Sequence, residues 1–234
     1  MLSCESSEWR ARSYRNKLTG PQMTDPEDRW PLPKYNPGSH YHIHALGVIA
    51  VTYAGFQRSV DYLYAFHPRQ QKLPDELIDL YYFSLSEEKR VNAVHEIFAK
   101  YEKDNDVNVA VDNVLEYFQW CKRTRDQILH AEQYPAMFGG KPNTLYLTKR
   151  LSKQSPKSGH MGFKLDDLRT IADKMRAGIV QSADIHIHLR VRDTPTNQIE
   201  ARLRAYKQKP LSPPLSIPAP LVLSSTPTDS SLTF

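Results

Sequence analysis

The sequence predicts a mainly α-helical protein, an antiparallel bundle of four to five helices with a small β-hairpin before the last long helix. Three observations carry that expectation. Apolar residues recur at spacings of three and four through most of residues 42–190. Capping residues, prolines and a glycine pair interrupt this period at helix-length intervals. Only the segment 144–165 alternates better than it spirals.

The first helix is expected from His42 to Phe66, where Leu46, Ile49, Tyr53, Phe56, Val60 and Leu63 form one stripe and Pro68 is expected to close it. After Pro74 the acidic turn Asp75-Glu76 opens a short helix carrying Leu77, Ile78, Leu80 and Tyr81. Ser86, followed by Glu87 and Glu88, reads as the N-cap of a third helix with Val91, Val94, Ile97, Phe98 and Tyr101 inward. Lys103-Asp104-Asn105-Asp106 marks a turn. The longest helix is then expected over Val107–Gln133, on a stripe running from Val107, Ala110 and Val111 to Cys121, Arg125, Ile128 and Leu129, with Pro135 and Gly139-Gly140 stopping it. Residues 144–151 and 160–165, joined by Pro156–Gly159, form the expected hairpin. Asp166 and Asp167 open a last helix with Leu168, Ile171, Met175, Ile179, Ala183 and Ile187 inward. Helix is preferred over strand for Ile185–Leu189 because no breaker precedes it.

Both ends read differently. Residues 1–38 are polar, hold Pro21, Pro26, Pro31, Pro33 and Pro37, and are expected to form an irregular arm. The bundle domain is expected over 39–207. Residues 208–234 carry six prolines from Pro210 to Pro227 among serines and threonines, the composition of a disordered or polyproline-like tail. At 234 residues one folded domain is the expectation. The formal charge of +5 favours polyanions weakly. Two cysteines exclude a disulfide framework and a four-thiolate zinc site. No apolar run reaches the roughly 18 residues of a membrane span, and Glu5, Glu8 and Arg10 leave no signal-peptide core. A cytoplasmic protein with no membrane association is expected.

The residues that point to chemistry lie near the end of the longest helix. Arg125 offers a permanent cation and His130 an imidazole that titrates near neutrality, the minimum for cutting a phosphodiester without a metal. Asp126 and His130 are four apart, so the carboxylate can orient the ring. A regular helix turns Arg125 and His130 apart by about 140°. They converge only if the helix frays after Leu129 or if two subunits share a cleft. Arg123, Lys149, Arg150 and Lys153 are the candidate phosphate-positioning residues.

Arg125, Asp126 and His130, an Arg, a polar residue and a His five positions beyond the Arg, resemble the motif of the HEPN superfamily of small helical bundles. The resemblance spans residues 42–190. It implies metal-independent RNA cleavage across a homodimer interface, with His130 as general base or acid, Arg125 as electrostatic stabiliser and Asp126 as orienting group. It further implies RNA as partner, a toxin–antitoxin or phage-defence setting with an antitoxin-type protein partner, and no metal or cofactor.

Two rival readings come from other residues. A non-catalytic helical interaction module fits the same bundle. A metal-dependent hydrolase would draw on His40-Tyr41-His42-Ile43-His44 and His186-Ile187-His188, since His-x-His converges on strands, whereas on a helix the rings diverge by about 200°.

Overall fold

The computed structural model describes residues 40–133, 144–150, 158–192, 194–207 and 209–223, all within the unit Pro37–Phe234. The expected arm over 1–38, the stop at Pro135 and Gly139-Gly140, the start of the hairpin turn at Pro156 and the last residues of the tail lie outside them. The described chain is mainly helical, with helices α1 (His40–Gln70), α2 (Asp75–Ser84), α3 (Glu87–Tyr101), α4 (Asn105–Leu129) and α5 (Leu165–Arg192). A small antiparallel sheet of β1 (Glu132–Gln133), β2 (Thr144–Arg150) and β3 (Ser158–Lys164) precedes α5 in the order β1-β2-β3.

The stripe on α1 is the core: Ile49, Tyr53, Phe56, Val60 and Leu63 are all buried. Each such side chain contributes about 1.5–3 kcal/mol by leaving water. Pro68 does not close α1, which runs on to Gln70. The helix ends instead in two reverse bonds, Lys72 N–H to Arg69 O at 2.9 Å and Leu73 N–H to Pro68 O at 3.1 Å, with Lys72 at φ 58. This closure uses the carbonyl of Pro68; the one bond its missing N–H forgoes is that to Tyr64 O, a turn earlier.

Ser86 caps α3 by accepting from Lys89 N, and Asp104 caps α4 by accepting from Asp106 N. On α3, Val91, Val94 and Phe98 go inward as the spacing predicts, while Tyr101 is exposed. α4 stops at Leu129, four residues short of the expected end, because Glu132 and Gln133 pair with Thr148 and Leu147 as an edge strand. Its buried surface is wider than one stripe and includes Tyr117, Trp120 and Thr124.

Consecutive helices alternate in direction. α4 runs against α1, since Phe118 stacks on Tyr53 at 5.4 Å near the middle of both helices while His67, near the end of α1, meets Glu102, just before the start of α4. With five helices, α5 returns parallel to α1: Gly178 faces Phe56, and His186 faces Tyr62 at 5.9 Å. A Cβ at Gly178 would stand 2.4 Å from the Phe56 ring, so glycine sets how closely α1 and α5 approach.

α5 is helical through Ile185–Leu189, but its inward face differs from the expected stripe. Leu168, Ile171 and Met175 are buried, then Gly178, Ser182, Ile185 and Leu189 take over, while Ala183 is exposed. A strict four-residue repeat drifts by about 40° per step, which leaves Ile179 and Ile187 only partly buried at the edge of this face and carries Ala183 into solvent.

The proline-rich tail is extended, but over 209–223 it is docked and not disordered. Asn113 exchanges two bonds with the backbone of Leu215, at 3.0 and 2.8 Å. Trp120 Nε1 donates to Ala219 O at 3.2 Å, Gln127 to Leu221 O at 3.4 Å and Gln181 to Pro213 O at 3.3 Å. Asp184 takes Lys209 Nζ at 2.8 Å and the backbone and hydroxyl of Ser212 at 3.1 and 2.8 Å. Leu221 is buried against the bundle.

A second polar knot closes the end of the bundle where α1 and α5 finish. Glu102 accepts two bonds from Arg192, at 3.0 and 3.1 Å, and the N–H groups of Lys103 and Asp104, with His67 Nε2 at 3.7 Å. Burial alone would raise the Glu102 pKa, but Arg192 and the two backbone amides outweigh it and hold the carboxyl below its usual range. Burial lowers the pKa of His67, against the pull of Glu102.

Candidate functional site

Arg125, Asp126 and His130 are brought together where α4 ends. The guanidinium of Arg125 lies 4.2 Å from the centre of the Tyr53 ring, its Nη1 is 2.8 Å from Asp126 Oδ1, and its Nη2 is 3.8 Å from Glu87 Oε1. Tyr53 OH donates to Glu87, completing a Tyr53–Glu87–Arg125 cluster. Burial works against the charge on Arg125, but Tyr53, Asp126 and Glu87 outweigh it and raise its pKa. Burial, then the bond to Glu87, raise the pKa of Tyr53 and keep its hydroxyl protonated.

His130 is the residue at which the helix unwinds, with φ −100 and ψ 11. His130 Nε2 lies 3.6 Å from Asp126 Oδ1, as their spacing of four on the helix allows, and this is the same oxygen that Arg125 holds. The His130 side chain is 64% exposed, against 20% for Arg125. One carboxylate oxygen therefore links a solvent-facing imidazole to a half-buried guanidinium.

Lys149 joins this cluster from β2, its Nζ donating to the carbonyl oxygen of Asp126 at 2.8 Å. The register that pairs Thr148 with Glu132 puts Lys149 beside the helix end. Arg123 is exposed on α4, about 200° around the helix from Arg125. Arg150 ends β2, its side chain lies outside the described residues, and so does Lys153.

Two participants were not foreseen from the sequence. Tyr53 belongs to the core stripe of α1, and Glu87 reads as a helix-opening carboxylate. The one available signal was Arg125 itself, a cation on the inward stripe of α4 that required a partner there. Lys122 Nζ also lies 3.7 Å from Glu87 Oε2, so Glu87 is shared between two cations.

Chemically, an exposed imidazole beside a carboxylate is a group that can accept and return a proton. Arg125 is engaged by two carboxylates and an aromatic face, so an incoming anion must compete with Glu87 and Asp126 for it.

The rival histidine constellation loses its geometric premise, because His42 and His44 lie on α1 and His186 and His188 on α5. Pairs spaced by two on a helix diverge by about 200°. Among the described residues no group of three or more His, Cys, Asp or Glu side chains is placed to hold a metal ion. No helix among them is long and apolar enough to cross a membrane. No protein-family model matches the chain, and neither a curated protein sequence nor a solved structure does.

Proposed function

We propose that the chain acts on RNA at the C-terminal end of α4, as an HEPN-like protein that cuts a phosphodiester without a metal. The observation that carries this reading is the convergence of Arg125 and His130 on Asp126 Oδ1, at 2.8 and 3.6 Å, with the imidazole open to solvent. His130 removes the proton of a ribose 2′-hydroxyl, whose oxygen attacks the neighbouring phosphorus. The phosphorus–oxygen bond to the 5′ side breaks, the departing oxygen takes a proton from water, and a 2′,3′-cyclic phosphate remains. Asp126 orients the ring, its Oδ1 lying 3.6 Å from His130 Nε2. Arg125 and Lys149 supply the positive charge that offsets the phosphoryl oxygens. A homodimer that sets two such clusters around one cleft completes the proposal.

A second reading, a non-catalytic helical interaction module, is favoured by one observation: Arg125 is already held by Glu87, Asp126 and Tyr53.

Incubating the purified protein with end-labelled RNA in EDTA separates the two. The nuclease reading expects cyclic-phosphate ends from the wild type and a loss of about 100-fold or more in His130→Ala, the size of a general acid–base contribution. Equal cutting by the variant assigns the activity elsewhere. No cutting by the wild type leaves the module.

A further inference from the structure

Between the C-terminal halves of α1 and α5 lies a groove of about 510 Å³, lined by Tyr62, Phe66, Arg69, Gln70, His186 and Arg190. Its volume is that of a small-molecule site. The groove shares no residue with the Arg125 cluster, so a ligand bound in it is independent of the RNA reading.

Three aromatic rings form one wall: the imidazole of His186 lies 5.9 Å from the Tyr62 ring and 6.5 Å from the Phe66 ring, centre to centre. Two guanidinium groups complete the lining. Arg69 has one exposed partner, Asp75, at 2.8 Å. Arg190 has no ion-pair partner among the described residues, whereas Arg192, in the same last turn of α5, is taken up by Glu102. His186 Nδ1 is sealed from water and has no hydrogen-bond partner among the described residues. Basic residues at a helix C-terminus offset the macrodipole, but that role does not require an aromatic wall or a cavity between them.

We propose that this groove binds a small aromatic phosphomonoester, its ring against Tyr62, Phe66 and His186 and its phosphate between Arg69 and Arg190. Two guanidinium forks match the several oxygens of a doubly charged phosphate better than the two of a carboxylate. Arenes gain from stacking on such a wall. The His186 pKa is lowered by burial first and then by Arg190 and Arg69, which places both cations electrostatically against this ring. An anion seated between them relieves that repulsion.

The test titrates the full-length protein with phenyl phosphate, inorganic phosphate, benzoate and phenol, read by calorimetry and by the imidazole resonances of His186. Phenyl phosphate is expected to bind at least about tenfold more tightly than any of the other three and to shift the His186 signals. Arg190→Gln and Tyr62→Leu, both at exposed positions, are each expected to weaken it by about tenfold. Equal affinity for inorganic phosphate removes the ring from the proposal and overturns it, as does equal affinity for benzoate. No binding, or binding unchanged in Arg69→Gln/Arg190→Gln, overturns it as well.

Discussion

α4 carries a carboxylate–arginine network at each end, and the two are built to opposite specifications. At its start, Glu102 is 2% exposed and meets Arg192 through both oxygens, with two backbone amides completing its shell. At its end, Asp126 is one-third exposed, and its Oδ1 faces Arg125 on one side and a solvent-facing His130 on the other. A sealed and saturated network leaves nothing for a ligand and acts on stability. An open one with spare capacity contributes less to stability and is available for chemistry.

The largest expected effect is at the sealed end. Glu102→Gln keeps the shape but removes the nearer counter-charge of Arg192, leaving Asp104 Oδ2 at 3.8 Å, and should cost about 3 kcal/mol, the low end for a broken buried pair, in urea unfolding. A loss below about 1 kcal/mol, the size of an exposed ion pair, would erase the contrast. Next comes Arg125→Met, which keeps apolar bulk over Tyr53 but removes the charge. About 1–2 kcal/mol is expected, the range of a partly desolvated cation–π and ion-pair contact. The same assay reads it.

The pH dependence sharpens the comparison further. His67 and Glu102 both have folded pKa values below their ordinary ones, so the unfolded chain binds more protons than the folded one. Stability is therefore full above the unfolded values and is lost as pH falls, first below about 6.5 for His67 and then below about 4.3 for Glu102. His67→Gln should flatten the upper part of a stability–pH curve and leave the lower part.

Smaller effects close the series. Lys72→Gly, at the reversed end of α1, should stabilise by about 0.5–1 kcal/mol, because φ 58 costs lysine what it does not cost glycine. Thermal unfolding would register this as a rise in midpoint. His130→Ala should move stability by under about 0.5 kcal/mol; a larger loss would make His130 part of the scaffold and weaken its assignment to chemistry.

Much of this architecture was legible because helices advertise themselves through spacing. α1 follows its apolar stripe, α3 follows its own as far as Phe98, and Ser86 caps where a serine before two glutamates should. The extended tail was legible in shape but not in placement, since its docking is specified by Asn113, Trp120 and Gln127 on another element. Sequence pattern shows which residues must go inside, and it does not show which distant groups meet there. The buried Glu102 illustrates this: its partner Arg192 lies 90 residues on. The candidate site divides in the same way. Asp126 and His130 were readable as a pair at helical spacing, whereas Glu87 and Tyr53 belong to other helices and carry no local mark. The early end of α4 was hidden because the edge strand that replaces its last turn takes its pairing from β2.

The docked tail has a consequence for how this chain can change. Asn113, Trp120 and Gln127 are spaced by seven, which keeps them on one side of the helix and about 10.5 Å apart. Four residues of polyproline-like backbone advance about 12 Å, close to the step from the bond at Leu215 to the bond at Ala219. The rungs grip main-chain atoms, so the exposed Pro214, Ser216 and Pro220 are free to vary as long as the backbone stays extended, whereas Leu215, Ile217 and Leu221 also pack on the core. Inserting or deleting one residue between Leu215 and Ala219 shifts the Ala219 oxygen away from Trp120, which makes the exposed positions permissive to substitution and that stretch intolerant of a change in length.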